Sequence, residues 1–147
     1  MKIALENMFG FDERRGCLVE NVCSNAAQLA KYRDALDDEC FTVCLDVGHC
    51  GVVGNDAAQM IHELGNRIGA VHIHDNNYKN DEHTLPYMGK LNWDEILNAF
   101  ADVNYQGDFT YEAFNFLRGF DKEFIPTALK FMHDTGRYMI SKIESFK

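Results

Sequence analysis

Four short runs of strand character recur along the 147 residues, each followed by a stretch of helical periodicity and each ending in a carboxylate or an imidazole. They are Lys2 to Asn7, Phe41 to Val47, Ala70 to His74 and Asp108 to Ala113. This alternation predicts repeated βα units and hence an α/β fold built on parallel strands. The strand ends carry Glu6, Asp46, His72 with His74, and Glu112. In a parallel barrel the carboxy ends of neighbouring strands converge on one rim, so these groups are expected at a common place. Several carboxylates in a partly buried mouth repel one another by several kcal/mol unless protons or a cation compensate them.

The helical stretches show start and stop signals. Asn25 caps a helix through roughly Asp38. Asn55 or Asp56 caps the next, whose apolar stripe Ala57, Met60, Ile61 and Leu64 ends at Gly65. Asn92 caps a third, with Trp93, Ile96, Leu97 and Phe100 at helical spacing, and Asp121 opens a last one through Phe124, Leu129 and Tyr138. Each stripe is expected to lie on the sheet. Gly48, Gly51 and Gly54 read as glycines of a sharp loop after the second strand, not as a phosphate motif. The acidic runs Asp12-Glu13 and Asp37-Asp38-Glu39 read as solvated faces.

Composition removes other classes. A hydrophobic content of 46% is enough for a core, yet no apolar run exceeds strand length, so no membrane span is expected. The amino terminus MKIALENMFG lacks an apolar signal core, which makes a cytoplasmic location the expectation. Fourteen basic against 23 acidic side chains give a net charge of −9, which opposes binding to nucleic acid or an anionic membrane. The five cysteines are odd in number and form no CxxC pair; they read as reduced, mostly buried thiols. With two prolines and no low-complexity segment, residues 1–147 read as one domain.

Three carboxylates and an imidazole suit a divalent ion that tolerates mixed ligands, Mn²⁺, Mg²⁺, Co²⁺ or Zn²⁺, and the set Glu6, Asp46, His72 and Glu112 is the candidate shell. The surrounding residues carry a resemblance. Cys44-Leu-Asp-Val-Gly-His49 resembles the D-x-x-H motif that ends the sixth strand in the xylose isomerase-like superfamily, which holds sugar isomerases, ketose 3-epimerases and endonuclease IV. Val71-His-Ile-His-Asp-Asn76 resembles its H-x-x-D/E motif after the seventh strand. Asp81-Glu-His83-Thr-Leu-Pro86 with Met88-Gly-Lys-Leu-Asn-Trp93 is similar to its D-x-H-L-P-x-G-x-G-x-I-D-W stretch. Leu5-Glu6-Asn7 and Thr110-Tyr-Glu112 resemble the fifth- and eighth-strand glutamates.

The resemblance implies a partial (β/α)8 TIM barrel, four βα units corresponding to strands 5–8, with Glu6, Asp46, His72 and Glu112 on the metal. Glu6 and Glu112 would also be the acid/base pair that moves a proton at a sugar carbon beside a carbonyl. His49, Asp81 and His83 would contact the substrate; in the endonuclease IV branch those positions hold an additional zinc. His74 is read as facing away from His72, a histidine that backs the site or fills the core.

A full barrel of this kind needs eight strands and around 250 residues. Strands one to four are therefore expected from a second copy, from a separately encoded amino-terminal half, or to be lost by truncation, with self-association favoured. The expected activity is metal-dependent isomerisation or epimerisation of a sugar or sugar phosphate. An apurinic endonuclease and a non-catalytic metal-binding half-barrel are the alternatives.

Overall fold

The computed structural model describes residues 2–36 and 39–147. Its centre is a four-stranded, all-parallel sheet in the order β1 (Ile3–Glu6), β4 (Phe41–Asp46), β5 (Ile68–Ile73), β6 (Asp108–Tyr111). The four expected strands are all present, each one or two residues shorter or shifted at its ends. The central strand β4 is buried from Val43 to Asp46, as a strand covered on both faces should be. The edge strands β1 and β6 are only half-covered.

Helices α1 (Ala26–Leu36), α3 (Ala57–Leu64), α4 (Trp93–Asp102) and α5 (Ile125–Ser145) pack one against the next along the sheet. The core between the layers holds Leu29, Val43, Leu45, Ile61, Leu64, Val71, Ile73, Leu97 and Phe100. Each such side chain, fully withdrawn from water, contributes about 1.5–3 kcal/mol.

The caps follow the sequence signals. The carboxamide of Asn25 accepts from the Gln28 N–H at 3.1 Å, Asp56 from Gln59 and Asn92 from Glu95, each satisfying a helix-start donor that would otherwise be orphaned. Gly65 ends α3 at φ 54°, a backbone state that costs glycine little. Asp37 and Asp38, where α1 was expected to finish, lie outside the described residues.

Four features depart from expectation. The stretch holding Gly48 and Gly51 is a short helix, α2 (Val47–Val52), because Asp46 caps it. Residues 9–20 form an antiparallel hairpin, β2 (Phe9–Asp12) and β3 (Cys17–Glu20). Asp12 is thus a turn residue, accepting from the Arg14 and Arg15 N–H groups at 2.9 and 3.2 Å. The last helix starts at Ile125, not Asp121, with Pro126 in its first turn, where a missing N–H costs nothing. The cysteines are less buried than expected: Cys44 and Cys50 are buried but Cys17 is exposed. No helix among the described residues is long and apolar enough to cross a membrane.

Candidate metal centre

Parallel pairing in register delivers the strand-end groups to one rim. Asp46 is the Cα partner of His72, and Glu6 pairs with Cys44 two residues upstream of Asp46. Glu112 follows β6, and its N–H continues the ladder to the Ile73 carbonyl at 3.1 Å. One atom from each of Glu6, Asp46, His72 and Glu112 lies within 4.8 Å of the other three. His72 Nδ1 stands 3.2 Å from Glu6 Oε1, 3.2 Å from Glu112 Oε2 and 3.8 Å from Asp46 Oδ2. The structure therefore brings together all four residues of the candidate shell.

Electrostatics at this point describe an excess of negative charge. Burial raises the Glu112 carboxyl, and the Asp46 charge pushes the same way against the pull of His72. Burial also opposes the Asp46 charge, but the His74 hydrogen bond and charge outweigh it and leave that carboxyl lowered. Burial and the charges of Glu6, Asp46 and Glu112 push the Cys44 thiol up to about 12, and the grouped ligand atoms are those of the three carboxylates and His72. A single imidazole nitrogen shared by three carboxylates is a donor set that fits a hard or borderline divalent cation.

Beside the quartet, His49, His74, Asp81 and His83 form a second group whose ligand-type atoms also lie within 4.8 Å of one another. His83 joins Asp81 Oδ2 through Nε2 at 2.8 Å and the Glu112 carbonyl through Nδ1 at 2.7 Å. It holds φ 46°, a backbone state costly for a non-glycine residue and found most often at functional sites. His49 Nδ1 meets the Asn7 carbonyl at 2.8 Å, so this nitrogen donates and Nε2 faces Asp46 and Asp81 at 3.8 and 3.7 Å. Burial works against charge on this ring, but Asp81 and Asp46 beside it raise its pKa to about 9. The edge of Phe9, on the β2–β3 hairpin, packs 4.9 Å from the His49 ring, and Phe114 stacks on His83 at 4.4 Å.

The expectation that His74 turns away from His72 is wrong. Residues two apart on a strand share a face, and the His74 ring reaches the Asp46 carboxylate, with Nε2 at 2.9 Å from Oδ1.

Two residues that build the site stand within the quoted motifs but were given no role by sequence reasoning. Asn7 is 1% exposed, and its carboxamide donates to the Asp46 carbonyl at 2.8 Å and accepts from the Asp46 N–H at 2.7 Å. Asp75 is fully buried and accepts from Trp93 Nε1 at 2.7 Å and from the N–H groups of Asn76, Tyr87 and Leu91 at 2.8–3.1 Å. It thereby ties the loop bearing Asp81 and His83 to the start of α4. A Cβ on Gly89 would meet Asp75 Oδ1 at 2.2 Å, so the glycine and the tryptophan of that stretch both serve this carboxylate. The signal available in the sequence was their spacing around a lone strand-end aspartate.

Residues 1–135 match the family described as xylose isomerase-like TIM barrel. The D-psicose 3-epimerase of Enterocloster bolteae is 30% identical over 94 residues, 64% of this chain and 29% of that protein. The solved structure of an L-ribulose 3-epimerase superposes with a TM-score of 0.71 at 17% identity, covering 99% of this chain and 48% of that one. A D-psicose 3-epimerase with D-tagatose from Clostridium cellulolyticum gives a TM-score of 0.67 at 21% identity, covering 82% and 45%. The superpositions establish a shared fold. The chain spans about half the length of these solved proteins and less than half of the curated relatives it matches.

Proposed function

The chain belongs to the xylose isomerase-like TIM-barrel family, and we propose that it carries the metal centre and acid/base pair of a sugar or sugar-phosphate isomerase/epimerase. The observation that carries this reading is the meeting of Glu6, Asp46, His72 and Glu112 within 4.8 Å at one end of the parallel sheet. Mn²⁺, Mg²⁺, Co²⁺ or Zn²⁺ would be held by these four residues. When bound, the ion would polarise a substrate carbonyl and the neighbouring hydroxyl, acidifying the C–H bond between them.

The protein supplies the proton movements. Glu6 and Glu112 come from the two outer strands and approach His72 from both sides. One carboxylate takes the proton from the carbon, leaving its electron pair in the enediolate, and the other returns a proton to the opposite face. His49 Nε2, with its other nitrogen tied to the Asn7 carbonyl, would bind a substrate oxygen, as would the Asp81–His83 pair. The resemblance of this chain to named ketose 3-epimerases supports the substrate class.

Ketose epimerisation by the metal-loaded chain tests this directly. Glu6→Gln and Glu112→Gln are each expected to lower kcat by about 10²–10⁴-fold; unchanged activity in both would refute the assignment. His49, Asp81 and His83 of the second group are the positions an apurinic endonuclease would use, against which stands the net charge of −9. Cleavage of an abasic-site duplex, without sugar turnover, would favour that reading. Tight metal binding with neither activity would identify a non-catalytic half-barrel.

The sheet edges bear on partners. Among the described residues β1 and β6 each pair on one side only, and beside β1 lies an apolar hollow of about 380 Å³ lined by Leu5, Val22, Cys23, Tyr32, Ala35 and Leu36. We read these as surfaces for further barrel strands, from a second copy or an amino-terminal half-barrel. Light scattering would give a dimer mass for the first and a monomer mass for the second.

A further inference from the structure

We infer that His74 is a positioning residue of the proposed metal centre, fixing the Asp46 carboxylate so that Oδ2 is the oxygen offered to the ion. This rests on the metal reading above, but it concerns a side chain outside the four-residue shell.

The bond direction follows from chemistry. An aspartate carboxylate can only accept, so His74 Nε2 donates, 2.9 Å from Oδ1 and 3.2 Å from Oδ2. The other ring nitrogen, Nδ1, is buried with no hydrogen-bond partner among the described residues. Within hydrogen-bond distance the ring serves Asp46, with Asp81 Oδ1 farther off at 3.8 Å from the same nitrogen. Oδ1 also accepts the His49 backbone N–H at 2.8 Å. Two donors thus converge on Oδ1, while Oδ2 lies 3.8 Å from His72 Nδ1, on the side of the quartet.

The ring is itself held by its surroundings. It is fully buried, and it stacks on His83 with centroids 4.1 Å apart and planes 20° apart. A Cβ at Gly48 would lie 1.9 Å from His74 Cε1. Only glycine in α2 leaves room for the ring, so the helix that Asp46 caps is shaped around the histidine that holds Asp46. A partner of this kind, orienting a metal ligand from behind, typically changes metal affinity about 10–100-fold when removed.

The test uses the whole chain with Co²⁺ as probe, read by calorimetric titration and by the visible d–d spectrum. His74→Phe keeps a ring to stack on His83 and removes the donor. His74→Gln brings an amide N–H to about the reach of Nε2, whereas His74→Asn is too short. The expected result is Co²⁺ binding weakened about 10–100-fold and an altered d–d band in His74→Phe, with affinity and spectrum largely restored in His74→Gln. If His74→Phe does not fold, the Gln and Asn variants decide: tight binding by Gln and weak binding by Asn support the role, and equal affinities overturn it. Wild-type affinity and spectrum in a folded His74→Phe also overturn it. So does a fall from two bound ions to one with the remaining affinity unchanged, which would make His74 a ligand. Failure of the metal reading looks different: Co²⁺ would then bind neither the unmodified chain nor Asp46→Asn, or would bind both equally.

Discussion

The side chain of Asn7 and the backbone of Asp46 exchange two hydrogen bonds, at 2.8 and 2.7 Å, in the manner of a neighbouring strand. β1 formally ends at Glu6, so this carboxamide continues the β1–β4 ladder by one step and locks the rim on which Glu6 and Asp46 stand. Asn7→Ala would leave the buried Asp46 N–H without its partner, while the Asp46 carbonyl would keep the Cys50 thiol at 3.2 Å. Destabilisation of about 1–3 kcal/mol is expected, measured by urea unfolding.

Asp75 poses the same question one loop further on. Trp93→Phe keeps the apolar packing of a residue only 3% exposed and removes the donor 2.7 Å from Asp75 Oδ2. The cost should be about 1–3 kcal/mol in chemical denaturation. Gly89→Ala should exceed it, because its Cβ would overlap Asp75 Oδ1.

Binding of a divalent ion to the quartet should raise thermal stability in proportion to the logarithm of its concentration, by about 2.7 kcal/mol at a hundredfold excess over Kd. Scanning calorimetry with Mn²⁺ or Co²⁺ measures this. His72→Ala and Asp46→Asn should abolish the increment, and excess EDTA should remove it from the unmodified chain.

The metal-free protein should lose stability in mildly alkaline solution. His49 is raised to about 9 in the fold, through Asp81 and Asp46 and against burial, from an ordinary value near 6.5. A raised pKa means stability that is fully present below about pH 6.5 and lost as the pH climbs through about 9. His74 is raised as well, against its burial, by Asp46, and acts in the same sense. The melting temperature should fall by several degrees across that window, and His49→Gln should flatten the decline.

Local pattern specifies much of this molecule. The runs Phe41 to Val47 and Ala70 to His74 read as strands, and the stripe through Ile96, Leu97 and Phe100 read as a helix, because periodicity and capping are properties of neighbours in the chain. The quartet was legible for the same reason: each member sits at the end of its own strand, and parallel strands of similar length share a rim. The hairpin at residues 9–20 was missed although Gly16, at φ 63°, marks its turn.

Contacts across long separations were another matter. That Asn7 serves Asp46, 39 residues away, and that Gly48 makes room for His74 are relations no spacing encodes. They depend on how β1, β4, β5 and α2 are brought side by side. Sequence order specified which residue types stand at the strand ends, since that follows from short-range periodicity. Which carboxylate is buried, which oxygen is left open and which histidine holds it arise from close packing between distant segments, where distances of a few tenths of an ångström decide a hydrogen bond.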